Sequence, residues 1–173
     1  MQQRLFIMLG YPGSGKSYFA KRLAPEIKAV RLNGDSIRHN MFTDEKQRWY
    51  PRNNPLVFGA LDYAAQEILK AGYSVIYDAS HNRRVDRTKA AKLGEPFGVT
   101  PIIIWIQTTK ETAKKRRETR DQALDQPDVP AKRFEELVAN LAPPEPNEKC
   151  IVIDGLGSFQ DQLDSFSKQL AGL

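Results

Sequence analysis

Eight residues, Gly10-Tyr-Pro-Gly-Ser-Gly-Lys16-Ser17, carry the spacing of a phosphate-binding loop: a glycine, four residues, then Gly-Lys-Ser. The glycines let the backbone turn where a Cβ would clash, so successive N–H groups converge on one anion-sized hollow. A helix opening directly behind them adds its positive end to the same hollow. In that arrangement Gly13, Ser14, Gly15 and Tyr18 surround the phosphates, and the Lys16 ammonium reaches the terminal ones. The Ser17 hydroxyl then serves as a ligand for Mg²⁺. ATP and Mg²⁺ are the expected ligands. The alternative is a plain glycine-rich turn. The apolar run Leu5–Leu9 before the loop, and Phe19, Ala20 and Leu23 at helical spacing behind it, favour the nucleotide.

Three further groups could join this chemistry. Asp35 and Arg38 stand three apart after the second apolar run, which on a helix puts them on one side. Asp35 could take the proton of an attacking hydroxyl while Arg38 holds the acceptor or the transferred phosphoryl group. A helix N-cap with a local ion pair competes with that reading. Asp78, after Val75-Ile-Tyr77, could orient Mg²⁺ or cap a helix. Arg116 and Arg120, four apart in a basic run, have the layout of a lid over about 114–130 whose arginines close on the nucleotide's phosphates. A solvated helix face is the competing reading. His39 and His81 lack partners at ligand spacing, which argues against zinc. Arg48-Trp49-Tyr50-Pro51-Arg52 interleaves aromatics with arginines and could stack a base, although such loops more often lie on the surface with one aromatic packed down.

The elements that must position these groups alternate. Strands are expected at Arg4 to Leu9, Ala29 to Asn33, Tyr73 to Tyr77, Pro101 to Ile106 and Lys149 to Ile153. Between them run helices: one behind the glycines, and one opened by Pro55 with Val57, Leu61, Ala64 and Ile68 inward. Another starts from the polar turn after Ser80, a basic one at Thr109, and one at Pro130; the last carries Phe159, Leu163, Phe166 and Leu170. Ser36 to about Phe42 reads as a weak helical turn, and Thr43 to Asn54 as a loop. The expectation is one α/β domain over residues 1–173, a five-stranded parallel sheet with helices on both faces, of the P-loop nucleotide-kinase type. Ligands of such sheets bind beyond the strand carboxyl ends, where the glycine loop, Asp35 and Asp78 all fall.

Composition sets outer limits. The chain has 173 residues, 40% hydrophobic and 27% charged, in keeping with one soluble domain. Its net charge of +5 suits a phosphate-rich partner, but nucleotide alone would account for it. The single cysteine, Cys150, excludes an intrachain disulfide, reads as a buried strand residue, and points to a reducing cytoplasm. No run is long enough to span a bilayer.

The order of these motifs resembles the small P-loop kinase family that includes the 5′-kinase domain of polynucleotide kinases. Gly10 to Ser17 is similar to that family's phosphate loop, and Leu32-Asn-Gly-Asp35-Ser-Ile-Arg38 to its strand-two motif. Ile76-Tyr-Asp78-Ala-Ser80 with Arg83 to Arg87 resembles its third-strand segment, and Lys115-Arg116…Arg120 before Val129-Pro130 its lid. The resemblance implies Asp35 as general base and Arg38 on the reacting phosphate. It further implies Asp78 and Arg83 beside the acceptor, and Lys16 and Arg120 among the catalytic cations. An ATP- and Mg²⁺-dependent kinase for the 5′-hydroxyl end of a nucleic acid is then the expected activity. A kinase for a small metabolite or antibiotic is the runner-up, and a regulatory module that binds ATP without transfer is the reading from another class.

Overall fold

All five side chains of Leu5–Leu9, strand β1, are buried, which only the centre of a sheet covered on both faces allows. The structure, a computed structural model, describes residues 2–119 and 131–173. Beside β1 lie β3 (Ser74–Asp78) and β4 (Pro101–Gln107). Outside β3 lies β2 (Ala29–Asn33), and beyond β4 lies β5 (Cys150–Asp154). The order is β2-β3-β1-β4-β5, and every pairing is parallel. The expected five-stranded parallel sheet of the P-loop kinase type is therefore what forms.

Alternation along β1 divides the core in two. Phe6 and Met8 face α1 (Lys16–Glu26) and α8 (Phe159–Ala171), where Phe19 and Phe166 pack edge to face at 6.2 Å between ring centroids. Leu5 and Ile7 face α4 (Asn54–Lys70) and the region after α5 (Arg84–Ala91). The fully buried stripe of α4 is Val57, Leu61, Ala65 and Leu69, at strict four-residue spacing. The expected Ala64 and Ile68 are only partly buried, because this stripe drifts slightly around the helix axis with each turn.

Local differences follow capping chemistry. The segment read as a weak turn is an eight-residue helix, α2 (Gly34–Met41), started by Asn33, whose side-chain oxygen accepts from the Ser36 backbone N–H at 2.8 Å. The expected loop after it holds a short helix, α3 (Glu45–Arg48), and a 3₁₀ turn at Pro51–Asn53. Asp44 accepts the Lys46 N–H at 2.7 Å and so starts the former. Cys150 is half-buried at the start of its strand rather than in the core. The basic helix α6 (Lys110–Glu118) has Thr109 as its N-cap, and α7 (Ala131–Ala139) follows the undescribed residues. Among the described residues no helix is long and apolar enough to cross a membrane.

Candidate active site

The carboxyl ends of β1 and β3 open into a cavity of about 730 Å³. Among the site residues named from the sequence, Gly13, Gly15, Lys16, Ser17, Tyr18, Asp35, Arg38, Asp78, Arg83 and Arg116 line it. At its floor Gly15 caps α1 in the left-handed region, φ 102°, and Gly13 sits at φ +86°. A Cβ on Gly13 would stand 2.3 Å from the Ala113 carbonyl oxygen, so α6 closes against the loop at a distance only glycine permits. Above Gly15 the nearest such contact is the Arg116 guanidinium at 3.9 Å, which leaves the cradle open on its ligand side. A phosphate chain fits this hollow.

Lys16 is folded back over the loop, donating to the carbonyl oxygens of Gly10 at 2.7 Å and Tyr11 at 2.8 Å. Burial pushes its ammonium down to a pKa of about 8, against the opposing fields of Asp78 and Asp35. Tyr18, by contrast, is exposed on α1, with the Arg22 guanidinium 4.3 Å above its ring.

Asp78 does not cap a helix. Its Oδ1 accepts from the Ser17 hydroxyl at 3.1 Å, while Oδ2 accepts from Arg31 Nε at 2.9 Å and Asn33 Nδ2 at 2.8 Å. A second Arg31 nitrogen reaches the same Oδ2. An alcohol and a carboxylate side by side form a donor set that suits Mg²⁺, so the residues present fit the implied ion. Arg31 and Asn33 were not anticipated. The signal that could have found them is a charged residue inside a short strand and a polar one two positions on, hence on the same face. Strand register then sets Asn33 opposite Asp78.

Because Asn33 holds the cap of α2, Asp35 is not the N-cap that the local alternative required. It lies in the helix's first turn, half-buried, near enough for its charge to act on both Lys16 and Arg38. Arg38 is buried, donates to the Arg48 carbonyl at 3.0 Å, and lies 5.4 Å from the centre of the Trp49 ring. Its Nε has no partner among the described residues. Burial lowers the Arg38 pKa, Asp35 opposes the shift and Arg133 adds to it. Arg133 of α7, which the sequence reading passed over, lines the same cavity.

The wall beyond Asp78 is built from aromatic and locked polar groups. Tyr77 donates its hydroxyl to Asp62 at 2.6 Å, and burial raises its pKa well above the ordinary value. His81 sits edge-on to Tyr77 at 4.5 Å between centroids, and burial drives it down to about 4, so it is neutral at neutral pH. Arg83 is mostly exposed and engaged by Asp86 through two hydrogen bonds of 2.7 and 2.8 Å. Arg87, fully buried, grips Glu148 at 2.8 and 2.9 Å and also donates to the Ala142 carbonyl at 2.9 Å. Asn82 donates to Leu137 of α7 at 2.9 Å. These contacts tie the loop after β3 to the end of α7.

Of the expected lid, Arg116 lies over the glycine loop. It donates to Gly155 at 2.8 Å, bracing α6 on the loop after β5. Arg117 stacks on Phe134 of α7 at 5.3 Å. Arg120, and the stretch expected to close, lie outside the described residues.

Comparison with known proteins finds this fold elsewhere. The fold is similar to that of a sugar kinase from a Janibacter species, with a TM-score of 0.72, 22% identity, and 98% of this chain and 95% of that one covered. A gluconokinase from Sinorhizobium meliloti matches with TM-score 0.68 and 16% identity over 98% of this chain and 92% of that one. The APS kinase of Mycobacterium tuberculosis, solved with AMPPNP and APS, matches with TM-score 0.69 and 17% identity over 98% of both chains. No curated protein sequence gives a significant match. The family model described as an AAA domain matches residues 5–144, and the chain belongs to that family.

Proposed function

We infer that the protein is an ATP-dependent phosphotransferase that moves a γ-phosphoryl group onto a hydroxyl of a small molecule. The observation that carries this reading is the convergence of Lys16, the Ser17–Asp78 pair, Asp35 and Arg38 on one cavity of small-ligand size. The cradle and Lys16 hold the triphosphate, and Ser17 and Asp78 hold Mg²⁺. When bound, the ion would supply charge neutralisation for the phosphates. Asp35 accepts the acceptor's hydroxyl proton as its oxygen bonds to the γ-phosphorus and the bond to the β-bridging oxygen breaks, releasing ADP. Arg38 offers its guanidinium to the transferring group, whose equatorial oxygens carry the charge.

The acceptor expected from the polynucleotide-kinase resemblance gives way to a small one on two grounds. The structural neighbours above are a sugar kinase, a gluconokinase and an APS kinase. The loop that could stack bases also spends its first residues inward: Arg48 donates to the Phe42 and Thr43 carbonyls, and Trp49 packs on Arg38. An ATP-binding module without transfer has no use for Asp35 and Arg38 beside Lys16. The test is transfer from γ-labelled ATP to a panel of sugars, sugar acids, nucleosides and 5′-hydroxyl DNA and RNA. Labelled product from a small alcohol is expected. Transfer to oligonucleotides alone restores the polynucleotide acceptor, and nucleotide binding with no transfer to any acceptor favours the module.

A further inference from the structure

The carboxylate that faces Ser17 is already compensated. Arg31 and Asp78 form an ion pair with side chains 17% and 2% exposed, reaching from the second strand to the third. All three strand-β2 donors, two from Arg31 and one from Asn33, converge on Oδ2, so Oδ1 is left turned to the Ser17 hydroxyl. Asn33 is held in turn, because its Oδ1 accepts from both the backbone N–H and the hydroxyl of Ser36. The carboxylate is therefore held through Oδ2, turns Oδ1 to Ser17, and has a neighbouring cation that offsets its charge.

We propose that Arg31 is a positioning residue that keeps Asp78 aimed at Ser17 and charge-compensated, so that the site takes a divalent cation together with the nucleotide's phosphates and not before them. The proposal rests on the phosphotransferase reading, which makes Ser17 and Asp78 the cation's ligands. The electrostatics are direct. A cation arriving alone meets one carboxylate oxygen whose charge is offset by Arg31, with the Lys16 ammonium close enough to feel Asp78. A cation arriving with a polyphosphate brings several negative oxygens and tolerates both basic groups. Arg31 is thus a selector for the metal–nucleotide complex.

The experiment measures binding, not turnover, with Mn²⁺ as the probe by electron paramagnetic resonance, with and without a non-hydrolysable ATP analogue. The proteins compared are the wild type, Arg31→Gln, Arg31→Lys and the Arg31→Gln/Asp78→Asn double variant. Without nucleotide, Arg31→Gln should bind Mn²⁺ about tenfold or more tightly than the wild type. Arg31→Lys, which keeps the charge, should stay near wild type, and the double variant should lose the gain. With the analogue present, all proteins that retain Asp78 should bind Mn²⁺. Should Arg31→Gln fold poorly, its melting temperature is the second readout: it should climb with Mn²⁺ alone, while the wild type's does not. Equal nucleotide-free affinity and equal thermal response in the wild type and Arg31→Gln overturn the role of Arg31 and leave the kinase reading standing. A wild type that binds neither the analogue nor Mn²⁺ with it overturns both.

Discussion

Nucleotide binding should consume protons, and Lys16 sets how many. In the free protein burial holds this ammonium at a pKa of about 8, against an ordinary value of 10.5. Phosphate oxygens favour the charged form, so the pKa of the complex lies above that of the free protein. The bound state therefore holds more protons than the free one in the window above pH ~8, and affinity falls as pH rises through it. The neutral fraction of a group with pKa ~8 is ~0.1 near pH 7, ~0.5 near pH 8 and ~0.9 near pH 9. Those are the expected proton uptakes per nucleotide, and above pH ~8 the affinity should drop by up to ~10-fold per pH unit. The nucleotide's own phosphate proton, with a pKa near ~6, does not interfere there. Calorimetric titration with a non-hydrolysable ATP analogue, in paired buffers of different ionisation heat, reads the uptake at each pH. Lys16→Arg should abolish it, because a guanidinium does not titrate in this range. No uptake near pH 9 in the wild type, or the same uptake in Lys16→Arg, would refute the reasoning.

Asp35→Asn should keep nucleotide affinity within a few-fold while kcat falls by ~10²–10⁴, since the amide fills the same space and cannot accept the proton; turnover and binding measured side by side check this. Gly13→Ala forces a Cβ to within 2.3 Å of the Ala113 carbonyl at a left-handed φ, so the loop must shift and analogue affinity should drop at least about tenfold in titrations of the folded variant. Arg87→Met strands the Glu148 carboxylate and the Ala142 carbonyl, and denaturant unfolding should show a loss of ~3 kcal/mol, the low end for a broken buried pair because Glu148 is 18% exposed. A loss below ~1 kcal/mol would mean that water replaces Arg87 without strain.

Much of the architecture could be read in the chain itself, because its signals are local. Runs such as Leu5–Leu9 and Ile102–Ile104 are apolar without alternation, which suits strands covered on both faces. Pro55 behind Asn54 and Thr109 before Lys110 mark helix starts with their own side chains. The glycine loop is legible for the same reason: backbone conformation, hydroxyl and ammonium all sit within eight residues. Reading is undecided where several side chains compete for one role, whether the rival stands nearby or far along the chain. Asp35 as a cap was a fair local alternative until Asn33, two residues earlier, proved to hold the helix. Arg83 lines the cavity and is also engaged by Asp86, a pairing the sequence left open, while the nearby Arg87 is spent on Glu148, 61 residues away.

The chain by itself determined the period and order of its elements and the loop that cradles phosphate, since backbone preference and hydrophobic spacing act between neighbours. Tertiary structure alone decided what each charge is for. Asp78 is tied into the site and does not cap a helix because strand register sets Asn33 opposite it and brings Arg31 from the neighbouring strand to one of its oxygens, while the start of α1 brings the Ser17 hydroxyl to the other. Lys16 becomes a titrating group because packing removes its water. Electrostatic energy depends on distance through space and on exclusion of solvent, and neither quantity is written along the chain.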